Sequence, residues 1–142
     1  MAYEVIVLDI SLVAAADLSA SQYRFVKVDA NGKAALAAAG ENAIGVLQDK
    51  PVAGQTATVR LYGISKVMAG AAIAKGAAVA SDANGKAKTA VSARTDTSDA
   101  GAANDPLIGS YAVGIALQAA AADGEIIPVA LVHLGAIPQT VQ

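Results

Sequence analysis

Thirteen glycines divide this chain, at positions 32, 40, 45, 54, 63, 70, 76, 85, 101, 109, 114, 124 and 135, mostly five to eleven residues apart. Segments of that length have room for short strands and turns but little room for helices. The fold class expected is all-β: a compact β-clip or β-barrel-like domain of short strands. Alanine's helix propensity argues the other way, most clearly at residues 33–39 and 117–122. Gly40 and Gly124 stop both runs after barely two turns, so at most one or two short helices are expected.

The clearest alternation lies at residues 56–62, where Ala57, Val59 and Leu61 point one way and Thr56, Thr58, Arg60 and Tyr62 the other. A two-residue period suits a half-buried strand. Residues 23–28 read similarly. There Val26 and Val28 share a face with the stem of Arg24, while Tyr23 and Phe25 take the opposite face, so both faces are expected to be covered.

An internal pseudo-repeat is visible. Asp29-Ala30-Asn31-Gly32-Lys33 recurs unchanged as Asp82-Ala83-Asn84-Gly85-Lys86, and Gly45-Val46-Leu47-Gln48 is echoed by Gly114-Ile115-Ala116-Leu117-Gln118. Residues 54–61 are echoed by 124–131, with Ala57, Val59 and Leu61 aligned to Ile127, Val129 and Leu131. The halves differ mainly by a polar, aperiodic stretch at residues 92–107, which reads as a long exposed loop. Each half is too small to hold its own core, so residues 17–142 are expected to form a single β domain. Residues 1–16 form an extended N-terminal segment, either a docking arm or an edge strand.

Composition narrows the function. Alanine occurs as often as Leu, Ile, Val and Phe combined, 36 residues of each class. Burial energy scales with apolar area at roughly 25 cal/mol per Å², so a core this light in bulky side chains gains from burial against copies of itself or another protein. With a net charge of −2 and no cluster of Lys or Arg, nucleic acid and anionic membrane are not expected partners. The absence of cysteine removes disulfides, thiolate zinc sites and thiol nucleophiles. The apolar run at residues 5–16 contains Asp9, lacks a basic leader and is too short to span a bilayer. It reads as a strand, and the protein as one made in the cytoplasm.

The remaining motifs have structural readings. Asn31-Gly32 and Asn84-Gly85 suit tight hairpin turns, since both residue types tolerate positive φ. They lack the further acids of a calcium loop. Residues 70–79 suit a pair of tight turns. Neither a phosphate loop nor a dinucleotide fingerprint is present. His133 is the only histidine and reads as partly buried or interfacial. Asp29, Asp49, Asp82, Asp99, Asp105 and Asp123 sit beside expected turns, and Lys66 lacks the flanks of a lipoyl or biotinyl carrier. No catalytic, cofactor-binding or metal-ligating residue is assigned, and no cofactor is expected.

The run at residues 17–26, then residues 29–33, then Ala43-Ile44-Gly45-Val46-Leu47, with Pro51-Val52-Ala53-Gly54-Gln55 and the 70–79 segment, resembles the small capsid decoration, or cement, proteins of tailed phages. The resemblance spans about residues 11–134. It implies a non-enzymatic structural protein, usually a homotrimer, bound to the major capsid protein on the outer surface of the virion capsid and stabilising the mature shell. The family supplies no catalytic residues. Glu4, Val5, Ile6, Val7 and Leu8 are the candidate capsid contacts, because such a run can add a strand to a capsid sheet edge. Two rivals are a virion or tail adhesion or carbohydrate-binding module, for which aromatics are few, and a small β-barrel hydrolase using Asp and Ser.

Overall fold

The computed structural model describes residues 2–94 and 107–136. Eleven strands follow one another: β1 (Val5–Val13), β2 (Phe25–Val28), β3 (Ala34–Leu36), β4 (Gly45–Leu47), β5 (Thr56–Met68), β6 (Ala78–Ser81), β7 (Ala87–Thr89), β8 (Ser92–Arg94), β9 (Leu107–Gly109), β10 (Tyr111–Ala116) and β11 (Ile126–Ala136). Among the described residues there is no helix, and the fold is all-β as expected. The alanine runs show why propensity lost. Ala34–Leu36 pairs with β2 as a strand, and Ala120 pairs with Ile73 in an isolated antiparallel bridge. Tertiary hydrogen bonding overrides a preference worth tenths of a kcal/mol per residue. The ends of the expected 92–107 loop are paired as the β8–β9 hairpin, and residues 95–106 lie outside the described residues.

Nine strands form one curled antiparallel sheet in the order β3-β2-β4-β5-β11-β10-β6-β7, with β1 added on β5. That order is a palindrome, and the pairing registers repeat with it. Val26↔Leu36, Lys27↔Ala35 and Val28↔Ala34 in the first half recur as Val79↔Thr89, Ala80↔Lys88 and Ser81↔Ala87. Val46↔Arg60 and Leu47↔Val59 recur as Ile115↔Ala130 and Ala116↔Val129. Leu12↔Ala57 and Val13↔Thr56 recur as Val67↔Ile127 and Met68↔Ile126. The first part of β5 therefore ends one repeat, and its second part begins the next. Each half curls until its first strand meets its third, through the parallel bridges Ala14↔Ala34 and Ala69↔Ala87.

The core repeats as well. Ala14, Leu18, Val26, Ala34, Leu47, Ala57 and Val59 form the buried cluster of the first half. Their counterparts Ala69, Ile73, Val79, Ala87, Ala116, Ile127 and Val129 all belong to the second cluster. That cluster also takes Phe25, Ala37, Ala43 and Val46 from the first half, so it fills the junction between halves. Backbone bonds lock this junction: Phe25 N–H donates to Gly85 O (2.7 Å), Gly40 N–H to Ser81 O (2.8 Å) and Tyr111 N–H to Gly40 O (3.1 Å).

The repeat also explains the two non-glycine residues in the left-handed region. Tyr23 (φ 64°) stands where the second half has Gly76 (φ 83°), and His133 (φ 44°) where the first has Gly63 (φ 110°). The frame calls for a residue without Cβ strain at both places, and one half of the chain meets the call with a side chain. Because Tyr23 is left-handed, β2 begins at Phe25 rather than at the expected residue 23.

Both DANGK runs are turns closed in the same way. Asp29 Oδ1 accepts from the N–H groups of Asn31 and Lys33, each at 2.9 Å. Asp82 Oδ1 accepts from Asn84 N–H (2.7 Å) and Lys86 N–H (2.9 Å). On the β3–β4 connection, the bonded Lys27 ammonium and then the Ala38 N–H hold the Glu41 carboxyl below the usual glutamate range.

Two predictions follow from this frame. A Cβ on Gly114 would strike Ala130 O and Val129 Cγ1, whereas one on Gly54 meets open space. Urea unfolding should show Gly114→Ala losing ~2 kcal/mol by overpacking, against ~1 kcal/mol for Gly54→Ala, whose cost is its left-handed φ alone. For pH, the lowered Glu41 contributes stability above its ordinary pKa, and that contribution disappears as pH falls through the lowered value. Glu41→Gln should accordingly lose less of its melting temperature than the parent protein between about pH 6 and about pH 3.

Candidate functional site

The part of the surface that departs most from an ordinary soluble face is β1. Its burial pattern has four exposed residues in succession at its start, and the exposures of Val5, Ile6, Val7 and Leu8 are 50%, 64%, 68% and 44%. A strand with one buried face would alternate. β1 does not, because two register shifts, between Ile6 and Leu8 and between Leu8 and Asp9, turn successive side chains outward.

β1 forms a ladder with β5 alone among the described strands, so among the described residues its far edge has no strand partner. Edge strands usually carry charges or prolines that discourage pairing with another chain. Val5-Ile6-Val7-Leu8 carries neither.

An ion pair holds this strand in place. Arg60 on β5 is 3% exposed. Its Nε donates to Asp9 Oδ1 at 2.9 Å and its Nη2 to Asp9 Oδ2 at 3.2 Å. Its Nη1 donates to Ile64 O at 3.3 Å and lies 3.5 Å from Glu4 Oε1. A bidentate guanidinium–carboxylate pair is strong and geometrically demanding, so it fixes which residue of β1 faces which residue of β5. Glu4 thus belongs to the strand's anchor as well as to the exposed run. Gly63 allows the close crossing, since a Cβ there would strike Val5 O.

Beside β1, Tyr62 pairs across the ladder with Leu8 and is itself exposed. Its ring meets that of His133 edge-on, with centroids 5.1 Å apart. His133 Nε2 lies 2.6 Å from Leu61 O, a contact that requires Nε2 to carry its proton and donate. Asn42, Ala43, Ile44, Leu61, Tyr62 and His133 line a shallow hollow of about 240 Å³. Val132 and Leu134 are also exposed.

The sequence residues that invited chemistry are dispersed. Lys66 Nζ lies 5.9 Å from the centre of the Tyr23 ring, and Lys86 is bonded to Asp123 at 2.7 Å. Among the described residues, no three His, Cys, Asp or Glu side chains come close enough to hold a metal ion. No described helix is long and apolar enough to cross a membrane. The arrangement offers an apolar, edge-presenting surface suited to contact with protein.

Sequence reasoning singled out Glu4, Val5, Ile6, Val7 and Leu8 as a candidate contact and did not anticipate the ion pair that supports the strand. The available signal was a lone arginine in the middle of an apolar strand, matched by a lone aspartate in the middle of another. Removing Asp9 as Asp9→Ala leaves a buried guanidinium with Glu4 as its remaining carboxylate, so unfolding free energy should fall by about 3 kcal/mol. Arg60→Met, which removes the charge as well as the pair, should cost less in the same urea titration.

No curated protein matches this chain. A family model does: that of the phage cement proteins, which matches residues 4–133. The matched stretch takes in all of β1, both repeats and β11 as far as His133. The chain belongs to the phage cement protein family, whose members are capsid-binding structural proteins.

Proposed function

We propose that this protein decorates the outer surface of a phage capsid as a homotrimer, binds the major capsid protein and stabilises the mature shell. Glu4, Val5, Ile6, Val7 and Leu8 form the capsid contact, and the protein performs no catalysis. The observation that carries this reading is β1: a largely apolar strand of nine residues, exposed at its start and, among the described residues, without a strand partner along one edge. A capsid sheet edge that added to β1 would gain main-chain hydrogen bonds along the strand and bury the four aliphatic side chains. Val5, Ile6 and Leu8 are branched residues held on the ladder, with Val7 at the register shift between them, so little conformational freedom is lost on docking.

Stabilisation follows from linkage. A protein that binds the mature shell better than its precursor shifts the equilibrium toward the mature state by its differential affinity. A trimer that touches several capsomers engages them together, so modest individual contacts sum to slow dissociation.

The test uses expanded shells that lack the protein. Titration with purified protein should show saturable binding and raise the shell melting temperature. Ile6→Lys/Val7→Lys, at exposed positions whose side chains do not bond Arg60, should weaken binding at least tenfold while the free protein melts as before. Equal binding by this variant would remove β1 from the contact, and failure of the unaltered protein to bind shells would remove the function itself. Light scattering of shell-eluted protein should give the mass of three chains.

A further inference from the structure

Among the described residues, the contact between the two halves is used once, and each of its sides recurs elsewhere without a partner. On the used side, the second-half turn at residues 82–86 lies on β2 of the first half. Gly85 O accepts from Phe25 N–H at 2.7 Å, Asn84 O accepts from Arg24 Nη1 at 3.3 Å, and Ser81, at the mouth of the turn, is 0% exposed. The first half carries the same five residues at 29–33 on the same β-hairpin register. There no described residue covers the turn: a Cβ on Gly32 would meet nothing within 4 Å, and Val28, the counterpart of Ser81, is 44% exposed.

The other side of the contact recurs on the second half. Ala77, Ala78 and Thr89 stand where the first half has Arg24, Phe25 and Leu36. Ala77 and Ala78 are only partly buried, and Thr89 is exposed. The change in bulk is complementary. The host face exchanges Arg, Phe and Leu for Ala, Ala and Thr, whereas the guest exchanges Ser81 for Val28. A smaller host and a larger guest suit each other.

We propose that the turn at residues 29–33 of one copy, led by Val28 and Asn31, docks on the Ala77–Ala78 strand of a second copy, repeating between chains the contact that joins the two halves within one. This deepens the self-association in the function proposed above and names the surfaces that carry it. The contact is heterologous, joining two different patches, so it propagates head to tail and ends where the ring closes. It also places β1, on the far side of β5 from β4, outside the self-contact and available to another protein.

The chain has no cysteine, which makes cross-linking clean. Asn31→Cys/Ala77→Cys, the counterparts of Asn84 and Arg24, should give, with a short thiol-reactive bismaleimide that spans the reach of the arginine side chain, covalent dimers and larger species as the majority on a denaturing gel, both in micromolar solution and on shells. Each single variant should stay monomeric, because a head-to-tail contact never brings position 31 to position 31. Val28→Lys should weaken self-association at least tenfold by sedimentation equilibrium without moving the melting temperature of the monomer. Absence of the 31–77 cross-link in both settings, or equal cross-linking by the single variants, overturns the contact. Shell binding without the cross-link leaves the decoration function standing and sinks this contact; cross-linking in solution by a protein that ignores shells does the reverse.

Discussion

Everything in this fold hangs on β5. Along its thirteen residues the first part carries β1 on one edge and β4 on the other, and the second part carries β11. The changeover falls at Gly63, whose φ of 110° and bare Cα let the β1 backbone cross closely. Because one continuous strand supplies a wall to each half, the halves cannot shift relative to each other without breaking ladder hydrogen bonds. This rigidity lets a chain with many small side chains hold a defined shape.

The two halves share a frame and differ in what they must anchor. In the second half the first strand is the continuation of β5, so the chain itself fixes its position. In the first half that place is taken by β1, a separate strand laid on β5. There the Asp9–Arg60 pair occupies the positions that Ile64 and Ala130 fill in the other half. A buried pair adds little net stability over an apolar replacement, but it discriminates sharply between registers. A one-residue slip would leave a guanidinium without its carboxylate. The charge pair thus keeps an apolar, exposed strand in one alignment.

The abundance of alanine acquires a physical reason in the same frame. Ala14 and Ala34 meet at the bridge that closes the first half, and Ala69 and Ala87 at the bridge that closes the second. At such crossings backbones approach too closely for branched side chains, and all four alanines are essentially fully buried. Burial that is efficient in space is modest in energy, since less apolar area leaves water per residue. Larger aliphatic groups remain outside, on β1 and at Val28, Val132 and Leu134, where another protein can cover them. That division fits membership of the phage cement proteins, whose partners are protein surfaces.

Local chemistry made the all-β class, the turns at the two Asn-Gly pairs and the inward phase of Ala57, Val59 and Leu61 legible in the sequence. Glycine spacing, the positive φ open to glycine at Gly32 and Gly85 and two-residue periodicity are local properties that need no distant partner; the Asp29 and Asp82 caps on those turns came from the structure. The DANGK runs also revealed the repeat, and residues 4–8 were singled out as a candidate contact. Tertiary structure alone decided the rest. Arg60 reads outward by alternation yet is buried, because its partner Asp9 is fifty-one positions away and arrives through strand pairing. Tyr23 reads as a strand residue yet turns left-handed, because Leu47 O holds its N–H where the other half uses glycine. Residues 33–39 and 117–122 favour a helix locally and do not form one, because β2 and the 70–79 segment offer hydrogen bonds that are worth more than propensity.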